Sequence, residues 1–312
     1  MNTSLLHQKP FLEYDRQIEY LKSKGLQISN SEYAISILQK ISYYSLINGY
    51  KDIFKNQQTH DFINGTTFEN IYTLYLFDAD LREFFLKYIL IVEANIKSSI
   101  SYHFTKLYGN GIAYYQDKFN YDYGNNEKDI KKLFYKMDCK IHGKFRSPQV
   151  SYYMNTYHDV PLWVLNTDLT LGEIATMYRY LKGHCKTQVC NDFHHMKRNE
   201  LGKMLIVLTK FRNICAHGNR LFNFHIQDAI LDSIVHKELH IPQKAGMYQY
   251  GKNDLFSAVI SLKHILSKED FQAFFCSLKD TLLKYKPNAA ILLAMGFPEN
   301  WSSILKIQIH ES

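Results

Sequence analysis

Apolar residues recur at spacings of three and four through most of the chain, which is the period of a helix face and not of a strand. The strongest stripe runs from Phe68 to Leu107 through Leu74, Phe77, Leu81, Phe84, Phe85, Tyr88, Ile91, Val92, Ile96 and Ile100. It predicts one long helix or two nearly continuous ones, ended by Gly109 and Gly111. Upstream, Ile18, Leu21 and Leu26 predict a short helix from Tyr14, closed by Gly25. The Ser29-Asn30-Ser31 cap signal predicts a second running toward Gly49. Residues 109–126 are turn-rich and aromatic, and a charged helix follows from Glu127 to about His142 before Gly143 and Pro148 break the pattern. Another helix is expected around 149–158, and Pro161 and Thr170 mark two further starts. After a polar connection near Gly183, a helix from His195 to His217 is built on Leu201, Met204, Leu205, Leu208, Phe211 and Ile214. Residues 224–312 predict three or four more helices around a polar loop at 241–253. No internal repeat or long linker divides the chain, so the pattern predicts an all-α protein with its middle as the core.

The 312 residues, 46% apolar and 21% charged, can bury a core without disulfide staples. The longest apolar stretches, such as Met204 to Leu208 and Ala289 to Met295, fall far short of the roughly 20 residues a bilayer requires. The N-terminus, MNTSLLHQKPFLEYDR, lacks the basic start and apolar middle of a signal peptide, which predicts a cytoplasmic protein with no membrane partner. Five scattered cysteines (Cys139, Cys185, Cys190, Cys215, Cys276) fit reduced thiols rather than a disulfide framework. The net charge of +7 suggests a polyanionic partner without choosing among RNA, DNA and anionic lipid.

The polar content of one apolar helix changes this picture. "FRNICAHGNRLFN", residues 211–223, packs Arg212, Asn213 and His217 into its last turns, stops at Gly218 and continues with Arg220 and Asn223. Asn213 and His217 share a helix face, whereas Arg212 and His217, five apart, lie about 140° apart around the axis. Two copies of the helix meeting would bring each Arg212 to the partner's histidine, which predicts a homodimer with a composite site. An arginine and a histidine beside a phosphate suffice for RNA cleavage without metal or other cofactor. The 2′-hydroxyl attacks phosphorus, the imidazole moves the proton, and the guanidinium stabilises charge on the phosphate oxygens. The plain reading of the same residues is that Arg212, Asn213 and His217 only cap the helix end and its neighbours.

The stretch "LTKFRNICAHGNRLFN" resembles the signature of the AbiD/AbiF-type abortive-infection proteins of bacteria, placed in the HEPN superfamily of ribonucleases. Three upstream blocks carry the same resemblance in the same order: "KPFLEYDRQIEYLKSKGLQI…YYSLINGY", "FDADLREFFLKYILIVEANIKSSISYHF" and "VPLWVLNTDLTLGEIATMY". The resemblance implies a HEPN-like helical bundle at 66–224 with a basic insertion around 109–148. An N-terminal helical region (1–65) and a C-terminal one (225–312) complete one compact unit. It implies Arg212, Asn213 and His217 as catalytic residues, with Glu93 orienting Arg212 across the bundle and Arg220 and Asn223 as supporting positions. Lys97 and Asp168 depart from the family's usual Arg and Glu.

Lys128, Lys132, Lys136, Lys140 and Lys144 recur every four residues and form a basic helix face, which reads either as a phosphate track or as a solvated surface. His184, Cys185, Cys190, His194 and His195 lack the C-x-x-C spacing of a recognisable zinc site, and no metal is expected. Two functions follow as expectations. The first is an anti-phage endoribonuclease acting on RNA. The alternative is an RNA-binding protein that holds a structured cognate non-coding RNA, with cleavage absent or repressed.

Overall fold

A computed structural model describes residues 11–309, so Lys9 and Pro10 of the first signature block lie outside the described residues. The chain is built from helices: α1 (Tyr14–Ser23), α2 (Ser31–Lys40), α3 (Phe68–Tyr108), α4 (Ile112–Tyr115), α5 (Glu127–His142), α6 (Pro148–Tyr157) and α7 (Leu162–Asp168). They continue as α8 (Leu171–Tyr180), α9 (Gly183–Asn191), α10 (Arg198–Ala216), α11 (Ile234–Glu238), α12 (Leu255–Ile265), α13 (Lys268–Tyr285) and α14 (Ala289–Ala294). The described sheet is a hairpin of two-residue strands, β1 (Gln243–Lys244) with β2 (Met247–Tyr248), beside a few isolated bridges. Its turn residues Ala245 and Gly246 both have positive φ, the requirement of a tight hairpin turn.

Two compact units divide the chain inside α3: one holds residues through Asp80 with Thr281–Ile291, the other Leu81–Asp280 and the residues from Leu292 onward. In the first, α1 packs on α2, and the buried Tyr50 hydroxyl donates to Asp78 Oδ2 at 2.7 Å. The helix expected to run toward Gly49 stops at Lys40, where Ile41 is extended. Ser42 then starts a new helical turn by accepting from the Ser45 N–H at 3.1 Å.

The second unit carries the signature. The α10 residues Leu201, Met204, Leu205, Leu208, Phe211 and Cys215 are buried, and α10 packs against both α8 and α12. α12 is buried along nearly its whole length, which its sequence LFSAVISLKHI permits because serine hydroxyls bond back to the helix, as Ser261 does to the Ser257 carbonyl at 2.7 Å. Phe274 of α13 meets Phe85 and Tyr88 of α3 edge to face, with centroids 5.1 and 5.4 Å apart. α3 is one continuous helix, with Ile89, Val92, Ile96, Ile100 and Phe104 fully buried. α9 forms where a polar connection was expected. Its short sequence GHCKTQVCN buries only Cys185, Val189 and Cys190, too few apolar positions to show a period.

The start of α8 is set by a capping box: the Thr170 hydroxyl accepts from the Glu173 N–H at 3.3 Å, and Glu173 Oε2 accepts from the Thr170 N–H at 2.9 Å. Thr170→Ala is therefore expected to lower stability by about 1 kcal/mol. The check is a urea unfolding midpoint that falls with unchanged slope; an unmoved midpoint would show that the cap contributes nothing.

Candidate active site

Gly218 ends α10, and with it decides where His217 stands. At φ +66° it takes the left-handed conformation, its N–H bonding the Cys215 carbonyl at 3.2 Å and that of Asn219 the Ile214 carbonyl at 3.1 Å. This is a Schellman end, in which glycine meets the conformation without a Cβ penalty. His217 becomes the C-terminal cap residue, exposed, with its N–H bonded to the Asn213 carbonyl at 3.0 Å. Asn213 is exposed as well.

Arg212 points elsewhere. Its Nε lies 3.5 Å from Glu93 Oε2 of α3, and the Glu93 side chain is only 8% exposed. Lys97, one helical turn along α3, reaches the other oxygen, Oε1, at 2.8 Å. One buried carboxylate is thus shared by two cations from two helices. The Arg212 contact is an ion pair without hydrogen-bond alignment, since neither Nε nor Oε2 has a directed partner. Nε is sealed from solvent while the arginine side chain keeps 27% of its surface exposed. Glu93 therefore lies against the Nε edge of the guanidinium, while the side chain as a whole is only partly covered. Among the described residues no hydrogen bond or ion pair joins Arg212 to His217 within the chain, as their angle around the helix leads one to expect.

The loop after Gly218 folds back on the bundle. Leu221 and Phe222 are buried, Phe224 meets Phe211 of α10 edge to face at 5.8 Å, and the Asn219 carbonyl accepts from Arg82 of α3 at 3.4 Å. Arg220 and Asn223 are half-buried in this loop, and Asn223 Oδ1 is buried without a hydrogen-bond partner.

The basic stripe divides into parts. Lys128 and Lys132 are exposed on α5. Lys136 and Lys140 turn toward Glu173 of the α8 capping box, at 3.4 and 3.7 Å, so a carboxylate stands against that part of the stripe. Lys144 lies beyond the end of the helix, over the Phe145 ring. Of the histidine and cysteine cluster, Cys185 is fully buried and its thiol is pushed up to about 12 by desolvation, the environment of an inert thiol. Cys190 contacts the Tyr178 hydroxyl at 3.2 Å and His184 the Tyr108 hydroxyl at 2.9 Å. Among the described residues no group of three His, Cys, Asp or Glu side chains could hold a metal ion, and no helix is long and apolar enough to cross a membrane.

Lys97 appears in the sequence only as a departure from a pattern, and its part in holding Glu93 is what the structure adds. The i, i+4 spacing of Glu93 and Lys97 was a signal for it. Lys97 also lines a groove between α3 and α7 whose residues Thr105, Trp163 and Asn166 gave no signal as a set, because they come from two separate segments.

No curated protein and no solved structure matches the chain. A model of the Abi-like protein family matches residues 36–223, more than half of the chain, and that span contains Glu93, Lys97, Arg212, His217, Arg220 and Asn223. The chain belongs to the Abi-like family, and is an abortive-infection protein.

Proposed function

We propose that this abortive-infection protein is a metal-independent endoribonuclease of the HEPN type, with Arg212 and His217 as the catalytic pair. The observation that carries the reading is the unequal treatment of the two residues: Arg212 is anchored through Nε by buried Glu93, while His217 stands exposed at the helix end. An anchored guanidinium suits charge stabilisation, since a preorganised donor need not reorient as charge develops on the phosphate oxygens. An exposed imidazole suits proton transfer, which needs access to the ribose 2′-hydroxyl. The hydroxyl oxygen bonds to phosphorus as the bond to the 5′-oxygen breaks. Histidine takes the hydroxyl proton, the departing 5′-oxygen takes up a proton in turn, from the imidazolium or from water, and the products are a 2′,3′-cyclic phosphate and a 5′-hydroxyl. Because one helix directs the two side chains apart, the site is completed by a second copy, each Arg212 working with the partner's histidine. Asn213, exposed beside them, would bond the bridging phosphate or ribose.

Lys128 and Lys132 favour a second role, in which α5 grips RNA and a cognate non-coding RNA holds the protein silent. They lack the acidic neighbour that Lys136 and Lys140 have in Glu173.

His217→Ala is expected to remove RNA cleavage and growth arrest while moving stability by less than about 0.5 kcal/mol, because the side chain is exposed. Wild-type cleavage by that variant overturns the mechanism. Glu93→Gln keeps the side-chain volume and removes the charge that orients Arg212. Cleavage should slow on the order of 100-fold with RNA affinity retained, and an unchanged rate would show that Glu93 has no positioning part. In a salt titration, Lys128→Glu with Lys132→Glu should weaken RNA binding and reduce the slope by about one per lost phosphate contact. Lys136→Glu with Lys140→Glu should instead lower the unfolding temperature, by repulsion from Glu173. Equal effects of the two pairs on binding would refute the division of the stripe.

A further inference from the structure

Lys97, which holds Glu93, also lines a groove of about 700 Å³ between α3 and α7. That volume lies within the range of small-ligand pockets, roughly 300–1,000 Å³. Two aromatic rings stand at it with their surfaces in water, Tyr102 at 62% and Trp163 at 47% exposure. Two lysines, Lys97 and Lys106, line it, and no carboxylate does.

The polar side of the groove is defined by Asn166, which is only 3% exposed. Its amide nitrogen donates to the Lys97 carbonyl at 3.0 Å and to the Ser101 hydroxyl, whose own proton goes to that same carbonyl at 2.7 Å. A carbonyl can only accept, so these bonds fix which end of the amide is nitrogen and leave Oδ1 as an acceptor. Asn166 Oδ1 and the Thr105 hydroxyl are both buried, both belong to groove-lining residues and neither has a hydrogen-bond partner. Native interiors rarely leave such groups unmatched.

We infer that the groove binds an unstacked base of single-stranded RNA, one that carries an exocyclic amine such as adenine or cytosine. The ring stacks on Trp163, the amine donates to Asn166 Oδ1, and the Thr105 hydroxyl meets a ring nitrogen. The flanking phosphate lies against Lys106. Uracil, with a carbonyl where cytosine has its amine, would set oxygen against oxygen. An apolar side chain from a peptide or from a second copy would leave both buried oxygens without partners, and would gain nothing from the two lysines. The inference rests on RNA being the ligand of the proposed site. Lys97 joins the groove to Arg212 through Glu93, two ion pairs in all, so the groove would select the sequence near the cleaved bond.

The test uses short 2′-O-methyl oligoadenylate, oligocytidylate and oligouridylate, which cannot be cut through the 2′-hydroxyl, so binding is read whether or not His217 is catalytic. By fluorescence anisotropy the full chain should bind the adenine and cytosine strands on the order of tenfold more tightly than the uracil strand. Trp163→Ala should weaken adenine-strand binding by tenfold or more, and Thr105→Val should narrow the gap between adenine and uracil. A strand carrying 2-aminopurine should be quenched by the wild-type protein and not by Trp163→Ala. Equal affinity for adenine and uracil strands, or unchanged binding by Trp163→Ala, overturns the inference. So does adenosine monophosphate binding as tightly as the strand, which assigns the groove to a free nucleotide. A fall in sedimentation mass for Trp163→Ala at unchanged strand affinity also overturns it, and makes the groove a contact between copies. Cleavage of ordinary RNA by His217→Ala is scored separately, so the groove and the catalytic pair can fail independently.

Discussion

A carboxylate in the interior of a helical bundle must be matched by positive charge, and Glu93 is matched twice. Leaving such a group without its cation costs roughly 3–5 kcal/mol, far more than an exposed ion pair returns. Lys97 comes from the same helix and Arg212 from α10, so the charge requirement ties the two helices at one level along their length. What happens at the end of α10 follows from that tie. Arg212 is turned inward, and His217, five residues on, is directed away from it and into solvent.

The same carboxylate links the region that would do chemistry to the region that would recognise a ligand. Lys97 contributes its ammonium to Glu93, its carbonyl to Asn166 and its flank to the groove between α3 and α7. One residue thus touches the anchoring of Arg212 and the orientation of the Asn166 amide. Along α3 the groove positions Lys97, Ser101 and Thr105 recur every four residues, with Tyr102 next to Ser101, on a helix that is also a core element through Ile96, Ile100 and Phe104. A helix that is apolar on one face and polar with aromatics on another is suited to both tasks, because rigid elements place side chains more accurately than loops do.

Charge on α5 shows how tertiary contacts reassign a sequence pattern. Five lysines at four-residue spacing look equivalent in the sequence, but Glu173 reaches two of them and the helix ends before a third. Glu173 stands where it does because it closes the capping box of α8, so a local helix signal determines how much positive charge α5 presents.

The period of apolar residues determined the all-helical class, the helical run of α3 (as one helix or two) and the limits of α5, since burial of one face is a local demand that each helix states in its own residues. The end of α10 was equally legible, because only the glycine at 218 meets the left-handed turn easily. The pairing of Glu93 with Arg212 was readable as a resemblance, and Lys97 only as an exception. α9 and the turns after Lys40 were not readable, since few apolar residues left no period to follow. The groove belonged wholly to the tertiary structure: Thr105 and Asn166 lie far apart in the chain, and only packing of α3 on α7 brings the two residues to one groove. A local pattern can state which face of a helix must be buried, but not which polar atoms from another helix will be waiting there.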